Sequence, residues 1–141
     1  MLIKKIPLII IGIVAVIWYF YIDYKEQNRI DKELLENLNL QLTGVIDSVD
    51  VFNGYGGFGI IRLKIISSNM DDYDPRPDHA FYYCVIKKGT AEIYAPAFGY
   101  GKGDTIRINT KAKVISYKNI ENSITINRHK SYYDYIKKYY K

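Results

Sequence analysis

The sequence predicts a mainly β protein: an N-terminal transmembrane and stalk helix, then a small antiparallel β-barrel, then a short C-terminal tail with helical spacing. Three observations predict it. Residues 6–22 form a run of seventeen without a charge. From Leu42 the apolar period changes from three or four residues to two. The strand-like segments that follow are joined by Gly- and Asp-rich turns with no crossover helix between them, the pattern of an antiparallel sheet closed on itself.

The charge-free run is the first element. Seventeen helical residues span roughly 25 Å, near the lower limit for a hydrocarbon core of about 30 Å. Trp18, Tyr19, Tyr21 and Tyr24 stand where an interfacial aromatic belt is expected and extend the usable length. A cleaved signal needs small residues after the apolar run, and Trp18-Tyr19-Phe20-Tyr21-Ile22 offers none. The segment 1–23 is therefore expected to be a retained signal-anchor in the lipid bilayer. Lys4 and Lys5 precede it, whereas Lys25, Arg29 and Lys32 follow among five carboxylates. This favours a cytoplasmic N-terminus and an extracytoplasmic domain, with a bacterial inner membrane facing the periplasm as the setting.

Residues 24–40 continue as a helical stalk, with Ile30, Leu34, Leu35 and Leu38 at spacings of three and four. That stripe is expected to pack on the chain's own domain; it is too short for a coiled coil. The β domain occupies residues 41–127. Its expected strands are 42–52 with Val45, Val49 and Val51 on one face, 59–66 with Ile61, Leu63 and Ile65 opposite Arg62 and Lys64, and 80–87. Three more follow at 91–95, 105–115 and around Ile124 and Ile126.

Charge is unevenly spread. Residues 38–127 carry ten basic and nine acidic side chains, and residues 128–141 carry five and one. A nearly neutral folded region argues against nucleic acid as its partner. Fifteen tyrosines fit a β-rich domain. Cys84 is the only cysteine, so one chain can hold neither a disulfide nor a cysteine-based zinc site, and its apolar setting reads as a small buried hydrophobe.

Leu42-Thr43-Gly44-Val45-Ile46-Asp47-Ser48-Val49, followed later by Lys102-Gly103-Asp104-Thr105-Ile106 and a long strand, resembles the small OB-like barrels. It is also similar to a group of uncharacterised bacterial single-pass membrane proteins that carry such a domain behind an anchor. The resemblance covers about residues 41–127. It implies a barrel and transfers no site residues.

Gly54-Tyr55-Gly56-Gly57-Phe58-Gly59 satisfies G-x-G-x-x-G, but a dinucleotide fingerprint requires a helix at the loop and here a strand follows. The kinase-type glycine loop fails too, since no catalytic-loop Asp or Asp-Phe-Gly accompanies it. The loop reads as a hairpin connection. A second aromatic, glycine-rich loop spans residues 97–104, and rigid scaffolds carry function on loops. Tyr55, Phe58, Phe98 and Tyr100 are therefore expected to form one ligand rim, stacking on a sugar, a peptide or a partner protein.

Asp71, Asp72, Asp74 and Asp78 crowd one loop with Pro75 and Pro77. The EF-hand spacing is absent, so this reads as a solvated turn before a Ca²⁺ site. His79, His129 and Ser67-Ser68 lack any recognisable nucleophile or base pairing, and no catalytic residue, cofactor or metal is assigned.

The tail, residues 128–141, places Tyr132, Tyr133, Ile136, Tyr139 and Tyr140 at helical spacing beside Lys137, Lys138 and Lys141. It reads as a helix on an anionic membrane, a helix closing the barrel's open end, or a frayed terminus. The function expected is a membrane-anchored extracytoplasmic binding module for a protein or envelope component. A structural subunit of a membrane assembly is the first alternative, and a hydrolytic enzyme a remote one.

Overall fold

A computed structural model describes residues 6–140. The flanking Lys4 and Lys5 and the terminal Lys141 lie outside the described residues. The chain divides into two units, Met1–Glu33 and Leu34–Lys141.

The first unit is one helix, α1, Ile6–Asp31. The helical stretch Leu8–Glu36, near the N-terminus, is long and apolar enough to cross a membrane. Its large apolar and aromatic side chains from Leu8 to Tyr24 are between 52% and 76% exposed, so none is sheltered by protein. The polar end is tied by short-range pairs: Arg29 bridges Glu26 at 2.6 Å and Glu33 at 2.9 Å, the spacing that places side chains on one helix face.

The stalk expected over residues 24–40 is shorter than a continuous α-helix. After Asp31 the chain takes one π-helical turn, Lys32–Glu36, and leaves the helix with Asn39 at φ 47°. The wider turn rotates Leu34 and Leu35 inward, and both are buried in the second unit with Leu38 and Leu40.

The second unit is an eight-stranded antiparallel sheet and a C-terminal helix. The strands are β1 Gln41–Val51, β2 Phe58–Ser68, β3 Asp72–Tyr73, β4 Cys84–Lys87, β5 Thr90–Pro96, β6 Thr105–Asn109, β7 Val114–Tyr117 and β8 Ile120–Ser123; α2 is Lys130–Tyr139. The order across the sheet is β3-β4-β5-β2-β1-β6-β7-β8. The sheet does not close into the expected barrel, because β3 and β8 stand at opposite edges with no pairing between them. Both ends are too short to close it. Pro75 and Pro77 supply no N–H to extend β3, and the chain leaves β8 after Ser123.

Cross-strand register puts Leu42, Ile46, Leu63, Ile61, Ile93, Ile106 and Ile108 on one buried face. β1 carries two register breaks, at Thr43/Gly44 and Ile46/Ser48. The second break switches which residues point to which face, since a bulge adds one residue to a period of two. Val45 therefore pairs with exposed Lys64, whereas Val49 pairs with buried Ile61, so the three valines do not share a face as expected. The same switch sends Asp50 and Phe52 to the opposite face, where α2 packs.

Two other strand expectations are corrected. Residues 105–115 are not one strand; they turn at residues 110–113, where Lys113 sits at φ 57° and the Ala112 N–H donates to Asn109 Oδ1 at 3.0 Å. Ile108 pairs with Ile115 and Asn109 with Val114, so the face that Ile106 and Ile108 share passes to odd-numbered residues after the turn. The last strand is residues 120–123 and not the Ile124–Ile126 stretch; Lys118 and Asn119, at φ 50° and 62°, make the two-residue hairpin turn that starts it.

α2 answers the question left open for the tail. Tyr132, Tyr133 and Ile136 are buried against Phe52, Ile60, Tyr82, Val85 and Tyr94. The apolar side of the tail thus faces the sheet. The Tyr132 hydroxyl donates to the Gly59 carbonyl at 2.7 Å, and the Tyr133 hydroxyl to the Asn127 carbonyl at 2.9 Å. Gly59 is required by space rather than by φ: a Cβ there would fall on the Asp50 carbonyl oxygen across the strand pair.

Candidate ligand cleft

The two aromatic loops lie side by side. Phe58 pairs with Pro96, the Ala97 N–H donates to the Gly57 carbonyl at 2.9 Å, and a Cβ on Gly57, whose φ is 82°, would sit 3.8 Å from Phe98 Cβ. The four expected rim residues nevertheless divide. Tyr55 packs on Tyr132 and Tyr135, and its hydroxyl donates to the Ser131 carbonyl at 3.4 Å. Phe58 meets Tyr132 edge-on, with ring centroids 5.7 Å apart. These two belong to the aromatic cluster that holds α2. Phe98 is 85% exposed, and Tyr100 packs edge-on against Tyr117 at 4.7 Å.

Phe98 and Tyr100 border a cleft of about 430 Å³ whose other walls include Tyr83, Ala95, Ile115, Tyr117 and residues 122–125. β5 and β7 stand four places apart in the sheet, yet both line this space, so the sheet curls far enough for its flanks to face each other. The cleft is the gap left where the curl stops short of closure.

Its walls are held by specific contacts. The Gly101 N–H donates to Tyr117 Oη at 3.2 Å, and that hydroxyl donates to Asp104 Oδ2 at 2.6 Å. Lys118 Nζ lies 3.3 Å from the same oxygen. The Tyr117 hydrogen bond, aided by Lys118, holds the Asp104 carboxyl below its ordinary value. Tyr83 is 1% exposed, and its hydroxyl has no hydrogen-bond partner among the described residues. Burial pushes that hydroxyl well above its ordinary value, so it stays protonated and able to donate.

A larger groove, about 560 Å³, lies across β1, β6, β7 and β8. Register aligns Thr43, Arg107, Ser116 and Glu121 in one polar row along it. Among the described residues, neither orphaned buried hydroxyl belongs to this groove.

Several charged groups elsewhere are paired with one another. Arg62 bonds Asp50 and lies 3.2 Å from Glu92, while the Tyr94 hydroxyl donates to Glu92 at 2.7 Å. Burial first, then that hydrogen bond to a carboxylate, raise the Tyr94 hydroxyl far above its ordinary value. In the acidic loop, Asp74 takes two side-chain bonds from Arg76, at 2.6 and 2.7 Å, one from the Arg76 backbone N–H at 3.2 Å, and an ion pair from Lys87 at 2.7 Å. Its carboxyl is therefore held well below the usual range, chiefly by Arg76. Asp71, Asp72 and Asp78 do not join it: among the described residues no three His, Cys, Asp or Glu side chains are placed to hold a metal ion. Cys84 is buried, and burial pushes its thiol up to about 12. At neutral pH it is not a thiolate, the form a nucleophile needs.

The chain matches no protein-family model, no curated protein and no solved structure. Of the four expected rim residues, Phe98 and Tyr100 lie at this cleft; Tyr83, Tyr117 and residues 122–125, which carry no signal for it in the sequence, reach it because the sheet curls.

Proposed function

We propose that this chain is a single-pass membrane protein whose C-terminal domain lies on the extracytoplasmic side and binds a protein or envelope component. One observation carries the reading. The apolar side chains of α1 find no protein cover, and each large one left in water forgoes about 1.5–3 kcal/mol of burial. Summed over more than a dozen side chains, the cost is on the order of tens of kcal/mol, which a bilayer removes. The bulky Trp18-Tyr19-Phe20-Tyr21 end argues for retention over cleavage. The domain's contribution is a cleft with aromatic walls on a rigid sheet, a geometry suited to binding.

Protease treatment of intact spheroplasts tests the topology. The full chain is expected in the membrane fraction, with its C-terminal epitope degraded from outside. A protected epitope, or a chain released by alkaline carbonate, overturns the reading.

A further inference from the structure

The unclosed seam of the sheet carries a more specific assignment, which rests on the reading of the domain as a binding module. Ile124 donates its N–H to the Lys113 carbonyl at 2.9 Å, so residue 124 faces β7. In an antiparallel ladder inward and outward residues alternate, so Asn122 and Ile120 also face β7. Glu121 and Ser123 then turn their N–H and C=O groups away from the sheet, toward the seam. All four residues of β8 are exposed, and no backbone partner meets these outward groups among the described residues. They recur about 6.8 Å apart, the two-residue repeat of any extended chain.

Beside this edge lies the cleft with Phe98, Tyr100 and Tyr117 on its walls. The two features fit one occupant. We infer that the seam accepts an extended peptide segment of a partner protein, added as a ninth strand along β8. One of its side chains, a large aromatic such as Tyr or Trp, enters the cleft and packs on Phe98 and Tyr100. Main-chain bonds to Glu121 and Ser123 supply register, and the cleft supplies selectivity.

The test selects a random dodecapeptide display library against the full chain in lipid nanodiscs, with empty nanodiscs as the counter-selection. Enriched peptides are expected to carry Tyr or Trp and to protect the Glu121 and Ser123 amides from hydrogen exchange. Ser123→Pro removes one outward N–H at an edge position that tolerates proline, and should weaken binding at least roughly tenfold. Phe98→Ala removes an exposed aromatic wall of the cleft and should cost roughly three- to tenfold. Tyr82→Phe removes a buried hydroxyl outside the cleft and should leave affinity unchanged. Peptides that protect the Arg107 row instead, or that ignore both Ser123→Pro and Phe98→Ala, overturn the seam assignment while leaving a binding module in place. Failure to enrich any peptide over empty nanodiscs overturns the seam assignment, and the separate protease test still decides the topology.

Discussion

At the scale of single residues, the tyrosines sort by what their hydroxyls meet. Tyr132 reaches the Gly59 carbonyl and Tyr133 the Asn127 carbonyl, whereas Tyr82 and Tyr83 are buried with their hydroxyls unpaired. Removing one partner of a buried hydrogen bond costs more than removing a group that had none. Tyr132→Phe is therefore expected to lose about 1 kcal/mol of stability in a denaturant titration, in line with a typical buried bond. Tyr82→Phe, which packs the same ring edge-on against Tyr94 and Tyr133, should match or exceed the parent. Equal losses in the two variants would show that ring packing, not hydroxyl pairing, sets their contribution. None of this was legible in the sequence. Fifteen tyrosines announce β structure and amphipathic surfaces, but a hydroxyl's partner lies 73 positions away for Tyr132 and six for Tyr133.

At the scale of elements, α2 is the cover for one half of the sheet's second face. Without it Phe52, Ile60, Tyr82, Val85 and Tyr94 would be open to water. Burial of Tyr132, Tyr133 and Ile136 contributes about 1.5–3 kcal/mol each, so the helix supplies on the order of 5 kcal/mol. That is comparable with the whole stability of a typical domain, about 5–15 kcal/mol. Truncation after His129 should unfold the domain or lower its melting temperature by more than about 10 °C, as read by circular dichroism. A truncated chain that melts like the parent would show α2 to be peripheral. The spacing of Tyr132, Tyr133 and Ile136 made the helix legible. Which surface it covers was not, because an apolar stripe suits a sheet and a membrane equally well.

For the whole molecule, the buried tyrosines set an alkaline limit. Burial raises Tyr82 to about 12 and lifts Tyr94, Tyr132 and Tyr133 further still. A group whose folded value lies above its unfolded value, near 10, binds its proton longer in the folded state. Its stabilisation is complete below about pH 10 and falls as pH rises toward the folded value, by about 1.4 kcal/mol per pH unit for each such tyrosine. The domain should therefore hold its structure to about pH 10 and then unfold steeply. Tyrosinate absorbance from the buried rings should appear together with loss of circular dichroism. Smooth titration of all the tyrosines with the fold intact would refute the buried cluster.

The sequence by itself determined the parts governed by local physics. A charge-free run specifies a helix that water does not suit, period-two alternation specifies strands, and tyrosines at helical spacing specify α2. The loop placement of Phe98 and Tyr100 was legible the same way, because glycine-rich loops between strands lie at the surface. Tertiary structure decided the rest. The register break in β1 reassigned Val45, the four-residue turn at 110–113 split one expected strand into two, and short edge strands left the sheet open. That opening created the cleft, and it drew Tyr83, Tyr117 and β8 together from separate strands. Tyr55 and Phe58 went instead to the cluster under α2. The reason is common to all of these outcomes: alternation reports the face a residue takes within its own strand, while closure, register and covering depend on which distant strand arrives beside it.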